Sequence, residues 1–233
     1  MTIASPNSVT AASVVVRCKG ILFDMDGILI SSLGSVERSW RTWAVSRGID
    51  PALAIRTAHG CRAIETMRKL RPDLDDEAEL KFIEEIEIAD QEGVERLPGV
   101  AAFLATLPAE KWTVVTSATE RLARIRLEAA GITPPARFIT ADMVSNGKPH
   151  PEPYLRGAEL LGIAAGDCVV FEDAGSGSKS GRAAGCTVIA TMFSHTAEEL
   201  AAANYRVQDL TGISLEVLAG GEELSLTFTP LAG

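Results

Sequence analysis

Beyond Pro98-Gly99 the chain settles into an alternation of short apolar runs and stretches of helical period. A helix over 100–107 leads to a strand over 112–116, then a helix over 120–130 closed by Gly131. A short strand at 137–140 and the loop Ser145-Asn-Gly-Lys-Pro-His-Pro151 precede a helix over 152–161. Strand 168–171 passes through a glycine-rich turn into a helix ending near Gly185, and strand 187–190 is followed by a helix over 197–203. Repeated units of this kind predict an α/β chain with a parallel sheet wrapped by helices and right-handed crossovers. One more strand stands far upstream, over 20–23 and entered from 14–16, and runs directly into Asp24-Met-Asp-Gly27. Acidic residues at the end of a fully apolar run are what a buried parallel strand with a functional carboxyl end presents. Leu224–Phe228 alternates and is expected to add an edge strand.

Residues 35–95 have a different texture. Trp40, Trp43, Ala44 and Arg47 fall at helical spacing, a second helical stretch covers 62–70, and an acidic helix over 75–92 carries Leu80, Ile83, Ile86 and Ile88. No strand interrupts them, so 35–95 reads as a helical insert between two parts of one core, 19–34 and 96–233. Residues 1–18 are expected to be a disordered extension, and the stretch up to Ala12 lacks the positive charge of a signal peptide. The net charge of −9 disfavours broad nucleic-acid or anionic-membrane binding but allows a local basic pocket. No apolar run is long enough to span a membrane. Cys18, Cys61, Cys168 and Cys186 are widely spaced and form no C-x-x-C pair, which suits reduced thiols and a cytoplasmic setting. A monomer is expected, with a dimer left open.

Four features fall at predicted strand ends, where an open α/β sheet places its ligands. In Asp24-x-Asp26 one carboxylate can attack an electrophile while the other moves a proton, provided their environments separate them. Thr116-Ser117 offers hydroxyls and backbone amides to phosphate oxygens, Lys148 a fixed positive charge, and Glu172-Asp173 hard oxygen ligands of the kind magnesium prefers. Each has an ordinary explanation when taken alone: Ser117 as a helix N-cap, Lys148 as a solvated lysine, Glu172-Asp173 as the start of a turn. Their convergence on one sheet edge is what favours chemistry. Gly175-Ser-Gly-Ser-Lys-Ser-Gly181 matches neither G-x-x-x-x-G-K-[ST] nor G-x-G-x-x-G, and its glycines are expected to let the chain turn into a helix. His59, His150 and His195 lack metal-ligand spacing, and His150 reads as a structural hydrogen-bonding residue.

The ordered set Asp24-Met-Asp-Gly27, Thr116-Ser117, Gly147-Lys-Pro-His-Pro151 and Phe171-Glu-Asp173 resembles the four motifs of haloacid dehalogenase-type phosphatases. Further matches at 110–117, 138–141 and 147–155, with His59-Gly60, Arg62 and 182–186, are similar to the glycerol-3-phosphatase and 2-deoxyglucose-6-phosphatase group. The resemblance implies a Rossmann-like parallel-sheet core with a small inserted α-helical cap. It also implies Asp24 as nucleophile, Asp26 as acid and base, and Ser117, Ala118 and Lys148 around the phosphoryl oxygens. A Mg2+ ion would be held by Asp24, the Asp26 carbonyl and Asp173, with Glu172 in or behind its shell. The partner implied is a small phosphorylated sugar or polyol. Discrimination among sugars is expected in the cap, at His59, Gly60 and Arg62, although Arg62 and Glu65 also fit an ordinary i,i+3 surface pair. Two departures from the family pattern stand out. Gly175-Ser-Gly-Ser178 replaces a Pro-Ala-Gly-Ile type sequence and is expected to loosen the seat of Glu172, and Ser31 replaces an aspartate common in cap-bearing relatives. Alternatives on the same fold are a phosphosugar mutase, a dehalogenase or a phosphonatase, and outside enzymology a non-catalytic binding domain.

Overall fold

Strand β2, Gly20–Phe23, is buried along its whole length because it lies at the interior of a parallel sheet. The computed structural model describes residues 12–232, so the expectation for residues 1–11 lies outside the described residues. Two strands precede the insert besides β2: β1, Val14–Cys18, and β3, Ile30–Ser31. The insert supplies helices α1, Leu33–Ser46, α2, Pro51–Ala58, α3, Ala63–Leu70, and α4, Asp76–Ala89. The chain then runs through β4, Glu95–Arg96, α5, Val100–Ala105, β5, Trp112–Val114, α6, Glu120–Ala129, and α7, Glu152–Leu161. It continues through β6, Cys168–Glu172, α8, Gly175–Ala183, and β7, Thr187–Thr191. Three further strands follow: β8, Tyr205–Val207, β9, Ser214–Val217, and β10, Leu224–Phe228.

The five parallel strands lie in the order β5-β2-β6-β7-β8. Side-chain alternation divides β2 between two cores. Ile21 and Phe23 join Phe171, Val114, Phe103 and Leu127 on one face, while Leu22 joins Val170, Tyr154 and Val188 on the other. Phe23 stacks on Phe171 at 5.3 Å and meets Phe103 and Trp112 edge-on at 6.0 and 5.8 Å. Burying such a ring contributes about 1.5–3 kcal/mol, and the geometry of the pairs adds to that. Phe23 is in register with Val114 on one side and Phe171 on the other. The residues that follow each strand therefore emerge together at one sheet edge.

Four expectations need correction. Residues 14–18 are not part of an extension: they form β1, paired antiparallel with β10. Leu224–Phe228 is likewise no edge strand, because it is the middle member of a separate antiparallel sheet, β1-β10-β9. Residues 197–203 make turns rather than a helix. Thr196 and Glu199 satisfy one turn through each other's side chains, after which the alanines bring little apolar area and Asn204 is drawn to the β7 edge, where its N–H donates to Val188 O. Residues 137–140 are reduced to a single bridge between Val115 and Ile139.

The insert folds around its own core of Trp40, Trp43, Ala44, Ala54, Met67 and Ile83. Trp43 finds a partner for its indole N–H in Glu79 at 2.7 Å, and Arg47 binds the same carboxylate. Asp75 caps α4 by accepting from Ala78 N at 2.8 Å. The insert's two connections to the core pair as a short antiparallel ribbon, β3 with β4. No helix among the described residues is long and apolar enough to cross a membrane.

Candidate active site

Asp24 begins where β2 ends, and its N–H donates to Phe171 O at 2.9 Å, which carries the ladder one residue past the strand. The same register brings Glu172 and Asp173 alongside. Lys148 arrives from the opposite side on the loop after residue 141 and is 3% exposed. Its ammonium donates to Asp24 Oδ1 at 2.7 Å, Glu172 Oε1 at 2.7 Å and Val115 O at 3.1 Å, so all three N–H groups are committed. Lys148 is thus no solvated lysine. Burial pulls its pKa down, but the two carboxylates outweigh that and hold it above the ordinary lysine value. Asp24 is pushed up to about 7, first by burial and then by Glu172 and Asp26, with Lys148 opposing. Asp173 is raised well above the usual carboxylate range by burial and by Glu172 and Asp24.

Glu172 is fixed rather than loose. Oε1 accepts from Lys148 and from Tyr154 OH at 2.6 Å, and Oε2 accepts from the N–H groups of Asp173 and Ala174 at 3.0 and 3.1 Å. The Gly-Ser-Gly-Ser sequence makes this seat: a Cβ on Gly177 would lie 1.6 Å from Glu172 Oε1. The expected loosening is therefore replaced by a tight fit at the start of α8. Asp24, Glu172 and Asp173 each offer a carboxylate oxygen, all within 4.8 Å of one another. Three buried carboxylates against one ammonium leave excess negative charge, and an all-oxygen set of this kind suits a hard divalent cation. With both Glu172 oxygens occupied by four donors, Asp24 and Asp173 are the better placed to hold it.

After Asp24 the chain turns sharply, with N–H groups of Ile28, Leu29 and Ile30 all donating to Met25 O. The turn swings Asp26 over the strand end, where its Oδ1 accepts from the Ser32 hydroxyl and from Arg126 at 3.3 Å. Thr116 caps the turn after β5 by accepting from Ala118 N at 3.1 Å, while Ser117 and Ala118 line the cavity. Ser117 is not the N-cap of α6. Thr119 holds that place and accepts from Leu122 N.

A cavity of about 280 Å³ lies between this floor and the cap. Trp40, Leu80 and Ile83 form an apolar wall, and Glu84, Glu87 and His59 add polar groups. His59 Nε2 is buried without a partner among the described residues, and burial, then His195, lowers the ring's pKa. Gly60 lines the cavity and also packs closely on the core: a Cβ there would lie 2.6 Å from Ser176 Oγ, and Gly60 O accepts from that hydroxyl at 3.0 Å. Arg62 is 8% exposed and donates to Glu65, Val144 O and Ser145 O at 2.6, 2.8 and 2.9 Å. It is neither a free donor for a ligand nor an ordinary surface pair, since it clamps the cap to the loop that carries Lys148. His150 is structural, its Nδ1 accepting from Glu152 N at 3.2 Å.

Several site residues escape the sequence patterns above. Ser194 and His195 follow β7, and the Ser194 hydroxyl donates to Asp173 Oδ2 and contacts His195 Nδ1 at 2.6 Å. Their place just after a strand is the same signal that marks Asp24. Arg126 interrupts the buried stripe Leu122, Ala123, Leu127 of α6, and a lone arginine on an apolar stripe is a legible anomaly. Ser32 and Tyr154 carry no such mark.

A parallel sheet whose strand ends gather two carboxylates two residues apart, a buried lysine and a buried acidic cluster, all roofed by an inserted helical segment, defines a class. The chain belongs to the haloacid dehalogenase-like hydrolases, whose family model matches residues 21–191. It is 45% identical to hexitol phosphatase A of Escherichia coli over 75% of this chain and 83% of that protein. It is 37% identical to glycerol-1-phosphate phosphohydrolase 2 of Saccharomyces cerevisiae over 79% of each. A solved hydrolase from Pseudomonas syringae superposes with a TM-score of 0.74 at 26% identity, over 82% of this chain and 94% of that one.

Proposed function

We propose that this chain is a Mg2+-dependent phosphatase that hydrolyses the phosphate monoester of a small neutral sugar or polyol, working in the cytoplasm. The observation that carries the reading is the pairing of Asp24, fixed by Lys148 on the floor, with Asp26, held by Ser32 and Arg126 beside the same cavity. Asp24 attacks phosphorus, an oxygen–phosphorus bond forms, and the bond to the sugar oxygen breaks as Asp26 delivers its proton to the leaving alkoxide. Asp26, now a carboxylate, takes a proton from water, whose oxygen displaces Asp24 from the aspartyl-phosphate and releases inorganic phosphate. The Ser117-Ala118 turn receives the equatorial phosphoryl oxygens, and Lys148, held in place by Asp24 and Glu172, supplies a fixed positive charge beside them. Asp24, the Asp26 carbonyl and Asp173 would hold Mg2+, with Glu172 behind them orienting Lys148; the ion supplies positive charge against the phosphoryl group when bound.

A neutral tail is supported by the roof, where Glu84 and Glu87 would repel a second anionic group yet accept from hydroxyls, and His59 Nε2 offers one more polar contact. The E. coli relative named for hexitol phosphates supports the same class. The free thiols of Cys18, Cys61, Cys168 and Cys186 agree with a reducing compartment. A panel of hexitol, glycerol and sugar phosphates, with phosphoglycolate and a sugar bisphosphate as anionic controls, tests the reading by release of inorganic phosphate with Mg2+. Release from neutral-tailed esters above the controls is expected. Isomerised sugar phosphate without release, or preference for the anionic controls, would overturn it.

A further inference from the structure

Arg126 lies on the apolar stripe of α6 and is 2% exposed. Burying a guanidinium costs several kcal/mol unless it is well paired, so its partners need a reason. Nη1 donates to Asp26 Oδ1 at 3.3 Å and Nη2 to Glu87 Oε1 at 3.3 Å, while Nε has no partner among the described residues. Asp26 belongs to the core. Glu87 belongs to the cap helix α4 and is 6% exposed. One core arginine therefore touches one carboxylate from each side of the cavity. An arginine kept only to hold the cap would need Glu87 alone, and an apolar pair would serve that purpose as well or better.

We propose that Arg126 is a positioning residue for proton transfer, holding the Asp26 carboxyl through Oδ1 while Glu87 of the cap fixes the other half of the guanidinium. The Ser32 hydroxyl donates to that same Oδ1, so the protein's donors converge on one oxygen of Asp26. Oδ2 is left to carry the proton toward the leaving oxygen. When that proton moves to the alkoxide, the carboxylate that remains faces the fixed charge of Arg126, which needs no rearrangement to stabilise it. Glu87 keeps the guanidinium from turning wholly toward Asp26, and its own burial is matched by that contact. This inference rests on the phosphatase reading, since it assigns a partner to the acid of that reaction.

The test compares glycerol-1-phosphate, whose alkoxide must be protonated, with p-nitrophenyl phosphate, whose phenolate leaves without help. The quantity is kcat/KM, which covers the steps up to departure of the leaving group. The variant is Arg126→Met with Glu87→Gln, which removes both charges and leaves no buried ion unpaired. Its kcat/KM should fall about 10- to 100-fold on the alkyl ester and about threefold or less on the aryl ester. Asp26→Asn should show the same selectivity, and the triple variant should lose little beyond Asp26→Asn, as residues acting through one group do. Equal losses on both esters, or no loss on either, would overturn the proposal, as would additive losses in the triple variant. If the double variant fails to fold, Glu87→Gln alone decides by the same ratio, with a selective alkyl loss of about threefold or more expected and an unchanged ratio overturning it. A wild-type protein that releases no phosphate from either ester sinks the phosphatase reading itself, a result no Arg126 variant can mimic.

Discussion

The floor of the cavity and its roof are built on opposite plans. On the floor, Asp24, Lys148, Glu172 and Asp173 are all buried, and Lys148 and Glu172 have every polar atom engaged within the core. The roof is mostly apolar, and most of its polar groups are tied back to the core: Arg62 to the 144–145 carbonyls, Glu84 to Thr119, Glu87 to Arg126. Strand ends hold the floor, so its geometry is as rigid as the sheet. Side-chain contacts across an interface hold the roof, and only the β3–β4 ribbon joins it covalently to the core. A fixed floor suits chemistry common to every phosphate ester, and a separable roof suits whatever differs among them.

The largest effect should come from the floor. Asp24→Asn keeps the shape and removes the proposed nucleophile, and should lower kcat by roughly 10⁴-fold or more on every substrate, as losing a covalent nucleophile does. Without metal the variant should unfold no earlier than wild type, because the amide still accepts from Lys148 while one buried negative charge is gone. Phosphate release within tenfold of wild type would break the division between floor and roof.

The same contrast governs what can be read without a structure. Asp24, Lys148 and Glu172-Asp173 are legible because each follows an apolar run or a proline-braced loop, and parallel strands deliver such positions to one edge. The insert is legible as helical, since Trp40, Trp43 and Ile83 repeat at helical spacing. The small antiparallel sheet is not: β1 lies near one end of the chain and β10 near the other, and no local pattern announces their pairing. Nor are the contacts of Arg62. At i,i+3 from Glu65 it looks like a surface pair, and only the docking of cap on core turns its remaining donors toward Val144 and Ser145.

The next effect concerns the charge stored in the floor. Asp24 is raised to about 7 from an ordinary 3.8, and Asp173 and Glu87 are raised in the same direction. Between the unfolded and folded values the metal-free native state binds more protons than the unfolded chain. Stability therefore falls as pH rises through that window, by an amount on the order of a few kcal/mol. With a chelator present, Tm should be higher near pH 5 than near pH 8. Mg2+ should restore much of the loss at pH 8 and do little at pH 5, because it binds the deprotonated cluster. Thermal unfolding at both pH values, with chelator and with Mg2+, reads this directly. A Tm that climbs from pH 5 to 8 without metal would mean that Lys148 alone balances the three carboxylates.

The smallest effect tests whether the roof reads the substrate through Arg62. Its guanidinium is committed to Glu65 and to the 144–145 carbonyls, while Glu65 Oε1 also accepts from Gly147 N at 3.0 Å, one residue before Lys148. The clamp therefore bears on the lysine loop and not on the far end of a ligand. Arg62→Ala would free two carbonyls to water and leave Glu65, which is partly exposed, to hold Gly147 alone. Small errors in the placement of Lys148 should then reduce phosphoryl transfer by about three- to tenfold, a cost near 1 kcal/mol. Because every ester shares the phosphoryl group, the fall should be the same for glycerol-1-phosphate and p-nitrophenyl phosphate. Arg62→Lys should recover only part of it, since an ammonium cannot span Glu65 and two carbonyls in one plane. The ratio of kcat/KM on the two esters, mutant against wild type, is the measurement. A much steeper loss on the glycerol ester would put Arg62 in contact with the substrate tail, and would make the loop at 59–62 a reader of sugars instead of a latch on the floor.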